Sequence, residues 1–417
     1  MKDSNSDTLT AHARASIGFF GVLRNSDFSW YLLGEFAYYT GIHMMKLTWV
    51  WLVYDMTKSP FLLGLAGTFN GLPRIVASLL GGSIADRVEK RSLLLILQIG
   101  LGAYALIIAA LISTGFIEFW HLAIILMLQG ATVSFGLPAR LSFISELVSK
   151  EEFTKAYSLY YVILNLMGTI VPVTAGILVS QIGMARVFVI IGICQLIFDV
   201  ALLMIRVRGR ITRGQEKSIK EELVELFNFT RRSSILLTLM GIGVARVFLI
   251  MPLQILLPVF AVEILDVGSV GLGMLYSVMG IGGLFGSIIM TSISDFKRKT
   301  LLLLSVTALN GMILFFFSNS RTFYLSLSLM FLSGIANGLY LTTSSLLFQL
   351  NATEGTRGRA TSLYQLSMGL QPVSSLITGS IAQNWGVPFI VGVSGLLCVA
   401  FCGALIILRP NFRRLKL

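Results

Sequence analysis

Glu35, His43, Lys46, Arg74, Arg140, Asp199 and Arg246 each interrupt an otherwise apolar stretch of sequence. A charge placed in hydrocarbon costs about 2.5–3.5 kcal/mol on the insertion scale, so such side chains face a cavity, a partner or a pathway. Glu35 and Lys46 are separated by three helical turns, which places them on one face of a helix. Tyr39 and Ile42 fall between them on nearly that face, and His43 lies one turn from Lys46. The expectation is that this face looks into a central cavity. Glu35 is the first candidate for a proton carrier, because a carboxyl whose basic neighbour is present in only one conformation takes up and releases a proton between states. The alternative is a structural pair with a basic loop residue. His43, with an unperturbed pKa of about 6.5, is the second candidate; a hydrogen-bonded packing residue is the alternative. Arg74 and Arg246 stay charged at any accessible pH and so bind or pair rather than carry protons. Their donor forks suit an anionic or carbonyl-rich solute, and equally suit holding Glu35 or a helix C-terminus. With Tyr39, Lys46, Asn70 and Tyr364 they form the candidate cavity lining. Arg140, near the end of its stretch, is the candidate cytoplasmic gate, and Asp199 is expected to pair across a helix interface.

The elements that must position these residues are twelve apolar stretches, at 28–54, 60–84, 92–114, 120–144, 156–180, 186–205, 234–262, 269–293, 300–318, 322–349, 360–382 and 387–408. About 20 apolar residues of helix cross a hydrocarbon core of about 30 Å. The composition agrees, with 55% hydrophobic and 12% charged residues in 417. The twelve stretches leave no room for a soluble catalytic domain. The net charge of +12 is read by position and not as a nucleic-acid signal. With the N-terminus inside, most of the 32 basic residues fall in cytoplasmic gaps; the opposite side keeps Lys58, Arg186 and Arg321. The expectation is a multi-pass protein of the plasma (bacterial inner) membrane with both termini cytoplasmic and no removable signal peptide. Cys194, Cys398 and Cys402 lie inside apolar stretches and read as small hydrophobes.

A basic gap at 207–232 divides the chain into a tail at 1–25, a six-helix bundle at 26–206, the cytoplasmic linker, a second bundle at 233–409 and a tail at 410–417. The halves share landmarks in one order. Asp86-Arg87-Val88-Glu89-Lys90-Arg91 follows the second stretch and Asp295-Phe296-Lys297-Arg298-Lys299 the eighth. Ser158-Leu159-Tyr160 matches Ser362-Leu363-Tyr364, and Pro172 matches Pro372, each pair roughly 200 residues apart. The fold expected is therefore all-α, with twelve transmembrane helices in two pseudo-symmetric six-helix bundles, the layout of transporters whose halves rock about a midplane site. Pro172, Gly176 and Pro372 are the candidate bends. Glycines of the eighth stretch, Gly271 to Gly286, allow the close helix approach on which such rocking relies.

The run from Gly82 through Asp86, Arg87, Lys90 and Arg91 resembles the loop signature of the major facilitator superfamily, between the second and third spans. Trp51 to Pro60, Pro138-Ala139-Arg140, Glu146-Leu147-Val148 and Arg357-Gly358-Arg359 resemble, more narrowly, the branch of macrolide and enterobactin exporters. The first resemblance implies the major facilitator fold and alternating access, with Asp86 and its cations, and Asp295 as the second copy, gating the inner end. The second implies export of an amphipathic small molecule, of drug or siderophore class, driven by proton entry. Three positions depart from the proton-coupled pattern: Ile42 follows Gly41, Leu126 precedes Gln129-Gly130, and Val171 stands before Pro172.

No phosphate loop ending in Lys-Ser or Lys-Thr occurs, and the three histidines, His12, His43 and His121, are too far apart to suggest a metal site. No acid, base and nucleophile constellation is present. The expectation is a secondary transporter, not an enzyme, without cofactor or nucleic-acid partner, working as a monomer with membrane lipids, a small-molecule substrate and protons. The rival readings are an importer or lysolipid flippase of the same fold, in which Arg74 and Arg246 hold an anionic head group, and a receptor that binds without moving its ligand.

Overall fold

The computed structural model describes residues 19–209, 234–293, 298–350, 363 and 367–408, with the backbone alone for 19–20, 78–86 and 234. In the N-terminal half the helices are α1 (Ser26–Thr57), α2 (Pro60–Arg87), α3 (Lys90–Thr114), α4 (Phe119–Leu147), α5 (Phe153–Ile182) and α6 (Met184–Met204). In the C-terminal half they are α7 (Ser234–Leu249), α8 (Pro252–Val259), α9 (Gly268–Ser292), α10 (Lys299–Asn319), α11 (Phe323–Leu350), α12 (Gln371–Trp385) and α13 (Val387–Leu408). Among the described residues, nine helical segments are long and apolar enough to cross a membrane.

Local chemistry sets the ends. The Asn25 side chain accepts from the Phe28 amide at 3.2 Å and starts α1. Ser59 does the same for Leu62 at 3.3 Å, with Pro60 in the first turn of α2, where its missing N–H has no cost. Lys58 between them takes a left-handed conformation, so the two helices reverse direction in a tight turn. The seventh apolar stretch departs from a single helix: it breaks at Ile250–Met251, because Pro252 cannot donate to the helical ladder, and α8 then runs on into a π-helical turn at Phe260–Ile264. Pro372 falls in the first turn of α12, just after a turn at 369–370 that separates it from helical residues 367–368.

The packing repeats between the halves. In the first, α2 packs on α4 and α3 on α6; in the second, α9 packs on α11 and α10 on α13. The α3, α6, α10 and α13 helices carry an exposed apolar belt, including Ile96, Ile99, Leu196, Val200, Leu309, Phe316 and Leu397. An apolar surface of that extent is stable against lipid and not against water.

Two crossings join the halves, α2 on α12 and α5 on α9. Both need glycine. A Cβ on Gly64 would strike the Ser375 carbonyl, and one on Gly379 would sit 2.7 Å from the Pro60 carbonyl. Gly176 and Gly273 meet the Ser269 and Pro172 carbonyls of the opposing helix in the same way. Hydrogen bonds follow these seams: Thr68 to the Pro372 carbonyl at 2.8 Å, Ser269 to the Gly176 carbonyl at 2.9 Å, and Val173 N–H to the Ser277 hydroxyl at 3.0 Å. Ser59 donates to Gln383 at 2.8 Å, and Tyr54 to Glu263. These contacts run from the α1–α2 turn to the middle of the helices and close that end of the molecule.

Candidate functional site

Glu35 and Arg140 lie wholly inside the N-terminal half, 0% and 2% exposed. The Arg140 Nε is 3.6 Å from the carboxylate of Glu35, which has no hydrogen-bond partner on either oxygen. Tyr31, whose hydroxyl neighbours that carboxylate, donates instead to the Arg140 backbone carbonyl at 3.1 Å. The guanidinium lies 3.2 Å from the centroid of the Tyr38 ring, a cation–π contact, and donates to Gln98 at 3.1 Å. Gln98 in turn donates to Gln195 of α6 at 2.9 Å. One ion pair thus ties α1 to α4, and two amides extend the tie to α3 and α6. A buried carboxylate held by a charge alone is a weakly anchored one, since desolvation of both ions opposes the attraction.

Beside it the Tyr39 and Tyr160 hydroxyls share a 2.5 Å hydrogen bond. Tyr160 packs edge-on against Tyr161, which is exposed and lies 3.2 Å, hydroxyl to hydroxyl, from Tyr157. The exposed Tyr161 is thus joined through a ring contact to Tyr160, whose hydroxyl meets Tyr39 on α1. His43 packs on this cluster, its ring 6.2 Å from that of Tyr39 and against Gly168 of α5.

The expected shared face of Glu35 and Lys46 is therefore divided by depth. Glu35 meets α4 and is sealed off from any cavity. Lys46 is exposed and reaches the other half, its Nζ 3.4 Å from Gln254 of α8 and 5.8 Å from the centroid of Tyr276 on α9. Arg74 is also exposed, on the α2 face that carries Gly67, whose Cβ would meet Ile255 of α8. The two cations stand at similar depth on helices that reverse at the Lys58 turn. They sit where the halves face one another.

Arg246 is not with them. It is buried in the C-terminal half, donating to Asn337 and lying 4.1 Å over the Tyr340 ring. Its geometry mirrors that of Arg140: in one half an arginine of α4 covers a tyrosine of α1, and in the other an arginine of α7 covers a tyrosine of α11. Tyr38 and Arg246, and Arg140 and Tyr340, stand at about the separation of the other duplicated landmarks, with the two residue types exchanged. Asn70 joins α2 to α4, through the Leu126 carbonyl at 3.2 Å and Gln129 at 3.4 Å, instead of lining a cavity. Asp199 is buried on α6, with one oxygen unpartnered.

The loop cations bond within the N-terminal half. Lys90 pairs with Glu146 of α4, Arg91 donates to the Leu203 carbonyl at 3.1 Å, and Arg87 is exposed. Gly82 and Asp86 lie in the α2 backbone with side chains outside the described residues; Asp295 and Tyr364 lie outside them entirely. Pro172 and Gly176 stand at the α5–α9 crossing, and Pro372 against Gly71 at the α2–α12 crossing. Sequence reasoning missed Tyr38, Gln98, Gln195, Gln254, Glu263 and Tyr276. The exchanged aromatic and cationic positions of the two halves were the one signal that pointed to any of them.

Residues 31–371 match the family model described as Major Facilitator Superfamily. The chain is 21% identical to the Staphyloferrin A transporter of Staphylococcus aureus, over 89% of this chain and 94% of that one. It is 19% identical to Macrolide efflux protein A of Streptococcus pyogenes, over 86% and 90%, and 26% identical to the Enterobactin exporter EntS of Citrobacter koseri, over 60% of each. Among solved structures, the nucleoside transporter NupG superposes with a TM-score of 0.72 at 14% identity, covering 93% of this chain and 98% of that one. A mutant of the peptide transporter POT in complex with sulfate gives 0.77 at 12%, covering 96% and 97%. The fold is theirs, the protein is a multi-pass integral membrane protein and not an enzyme, and the chain belongs to the Major Facilitator Superfamily.

Proposed function

We propose that this chain is a proton-coupled exporter of an amphipathic small molecule, built as twelve spans in two six-helix bundles with both termini cytoplasmic. In that orientation the glycine seams close the outer end, and the structure is the inward-facing state. Rocking about the α2–α12 and α5–α9 crossings alternates access to the space that holds Lys46 and Arg74. The observation that carries the reading is the division of the charged residues: one acid sealed with its arginine inside a half, and two cations open between the halves. The sealed pair is suited to coupling, because protonating Glu35 removes the charge that holds α1 to α4. The open cations are suited to a solute. Export is the direction favoured by the efflux and exporter relatives.

The test is flux. Purified protein in proteoliposomes with an imposed proton gradient should accumulate a solute against its gradient, found by comparing metabolites of cells with and without the protein. Export predicts more retained solute in cells lacking it, import less. Binding without movement in the vesicles would leave only a receptor.

The seams supply a second test. Gly64→Leu forces α2 away from the Ser375 carbonyl, an overpacking cost of about 1–3 kcal/mol borne by the closed outer end alone. The expected result is a shift of about 5- to 150-fold towards the outward-facing state and slower turnover. Spin labels at Lys58→Cys and Trp385→Cys would read it as a longer distance, and an unchanged distance distribution would remove the seam from the gate.

A further inference from the structure

Four cations lie within the apolar spans, and the structure separates them into two kinds. Arg140 has a carboxylate, an amide and a ring; Arg246 has an amide and a ring, and both are buried. Lys46 and Arg74 are exposed, face the other half, and have no carboxylate within ion-pair distance among the described residues. What Lys46 does have is neutral, the Gln254 amide and the Tyr276 ring. The tight turn at Lys58 brings Arg74 back to about the depth of Lys46, since the two lie twelve residues before and sixteen after it on helices that reverse direction.

Two cations brought together deep in a membrane protein repel one another, and the repulsion grows as water is excluded. A protein gains nothing structural from that arrangement. Neutral residues at both positions would pack the same helices without it. A bound anion inverts the balance, since each cation then attracts the ligand and the ligand screens one from the other. The donor types are also complementary. Arginine offers a planar fork that matches a carboxylate or phosphate, and lysine a compact charge free to meet a second group.

We propose that Lys46 and Arg74 form the anion-binding half of the substrate site, and that the transported solute carries at least two negative charges as carboxylate or phosphate groups. The inference rests on the transporter reading above and adds the substrate class to it. The body of the solute lies against the half-buried Gln254, which belongs to the other half and is backed by the buried Tyr276. The ligand therefore takes the place of the Gln254 amide on Lys46 and bridges the two halves, so that binding and rocking are coupled. Arg246, buried against Asn337 and Tyr340, takes no part.

The test is isothermal titration of the whole protein in lipid nanodiscs at fixed ionic strength, with three probes: citrate, glycerol 3-phosphate and the cation tetraphenylphosphonium. At least one anion should bind and the cation should not; which anion binds separates a carboxylate solute from a phosphate one. Lys46→Gln and Arg74→Gln should each weaken anion binding about tenfold or more, and Arg74→Lys should fall between Arg74→Gln and the parent protein. Both side chains reach open space, so these variants fold. Lys46→Glu combined with Arg74→Glu should lose the anions and gain tetraphenylphosphonium. Anion binding unchanged in the glutamine variants would overturn the proposal, as would a parent protein that takes the cation and neither anion. The Lys58→Cys and Trp385→Cys label distance separates the two layers: alternation without anion binding sinks the substrate class alone, and anion binding without alternation sinks the transporter reading alone.

Discussion

Arg140→Met is expected to destabilise the protein by about 3–5 kcal/mol, the usual result of removing one member of a buried ion pair and leaving the other charge without compensation. The side chain removed is 2% exposed, and the carboxylate it leaves behind is 0% exposed with no hydrogen bond to fall back on. The variant also leaves Gln98 without its Arg140 donor and Tyr38 without its cation. Methionine fills much of the volume, so the loss is electrostatic more than steric. Adding Glu35→Gln to Arg140→Met should recover most of the stability, because a neutral amide needs no counter-charge. Equilibrium unfolding in detergent of the parent, both single variants and the double variant gives the coupling directly. Additive effects would mean that the 3.6 Å approach is incidental packing and that Glu35 is held by something else.

The helices were legible because hydrocarbon imposes one rule along the whole chain. Apolar stretches such as 60–84 and 387–408 reappear as Pro60–Arg87 and Val387–Leu408, within a few residues. The order of the landmarks led to the expectation of a duplication, and the packing of α2 on α4 has a counterpart in that of α9 on α11. What the pattern cannot carry is depth. Three turns of helix do put Glu35 and Lys46 on one face, but the neighbour of that face changes along the axis, from α4 at Glu35 to α8 and α9 at Lys46. Arg140 is distant in sequence from Glu35, and periodicity within one helix says nothing about which other helix lies opposite. The same reason hid Glu263 behind Tyr54 and Glu146 behind Lys90. The break before Pro252 was readable in principle, since proline ends a helical ladder, yet hydropathy alone runs straight through it.

The exchanged arginine and tyrosine of the two halves bear on mechanism as well as ancestry. A cation lies over a ring between α1 and α4 in one half and between α7 and α11 in the other, a contact that stiffens the interior of each. In the N-terminal copy the arginine also meets an acid, Glu35. In the proposed coupling, the Glu35–Arg140 pair places the proton-dependent change within the N-terminal half.

Glu35→Gln should accordingly abolish proton-driven accumulation while leaving exchange of solute across the membrane at a rate near that of the parent. Exchange needs only the rocking of the halves and the site between them, and Lys46 and Arg74 are untouched by the substitution. Accumulation needs a group that carries a proton in one direction per cycle, and the amide carries none. Glutamine also keeps the volume of the side chain and fixes the pair in its uncharged form, while Arg140 stays supported by Gln98 and Tyr38. Counterflow and gradient-driven uptake, measured on the same proteoliposomes, separate the two activities. Loss of both would assign Glu35 to structure, and uphill transport at the parent rate would move the proton to another group. His43, one turn from Lys46 and packed on Tyr39, is then the next residue to replace.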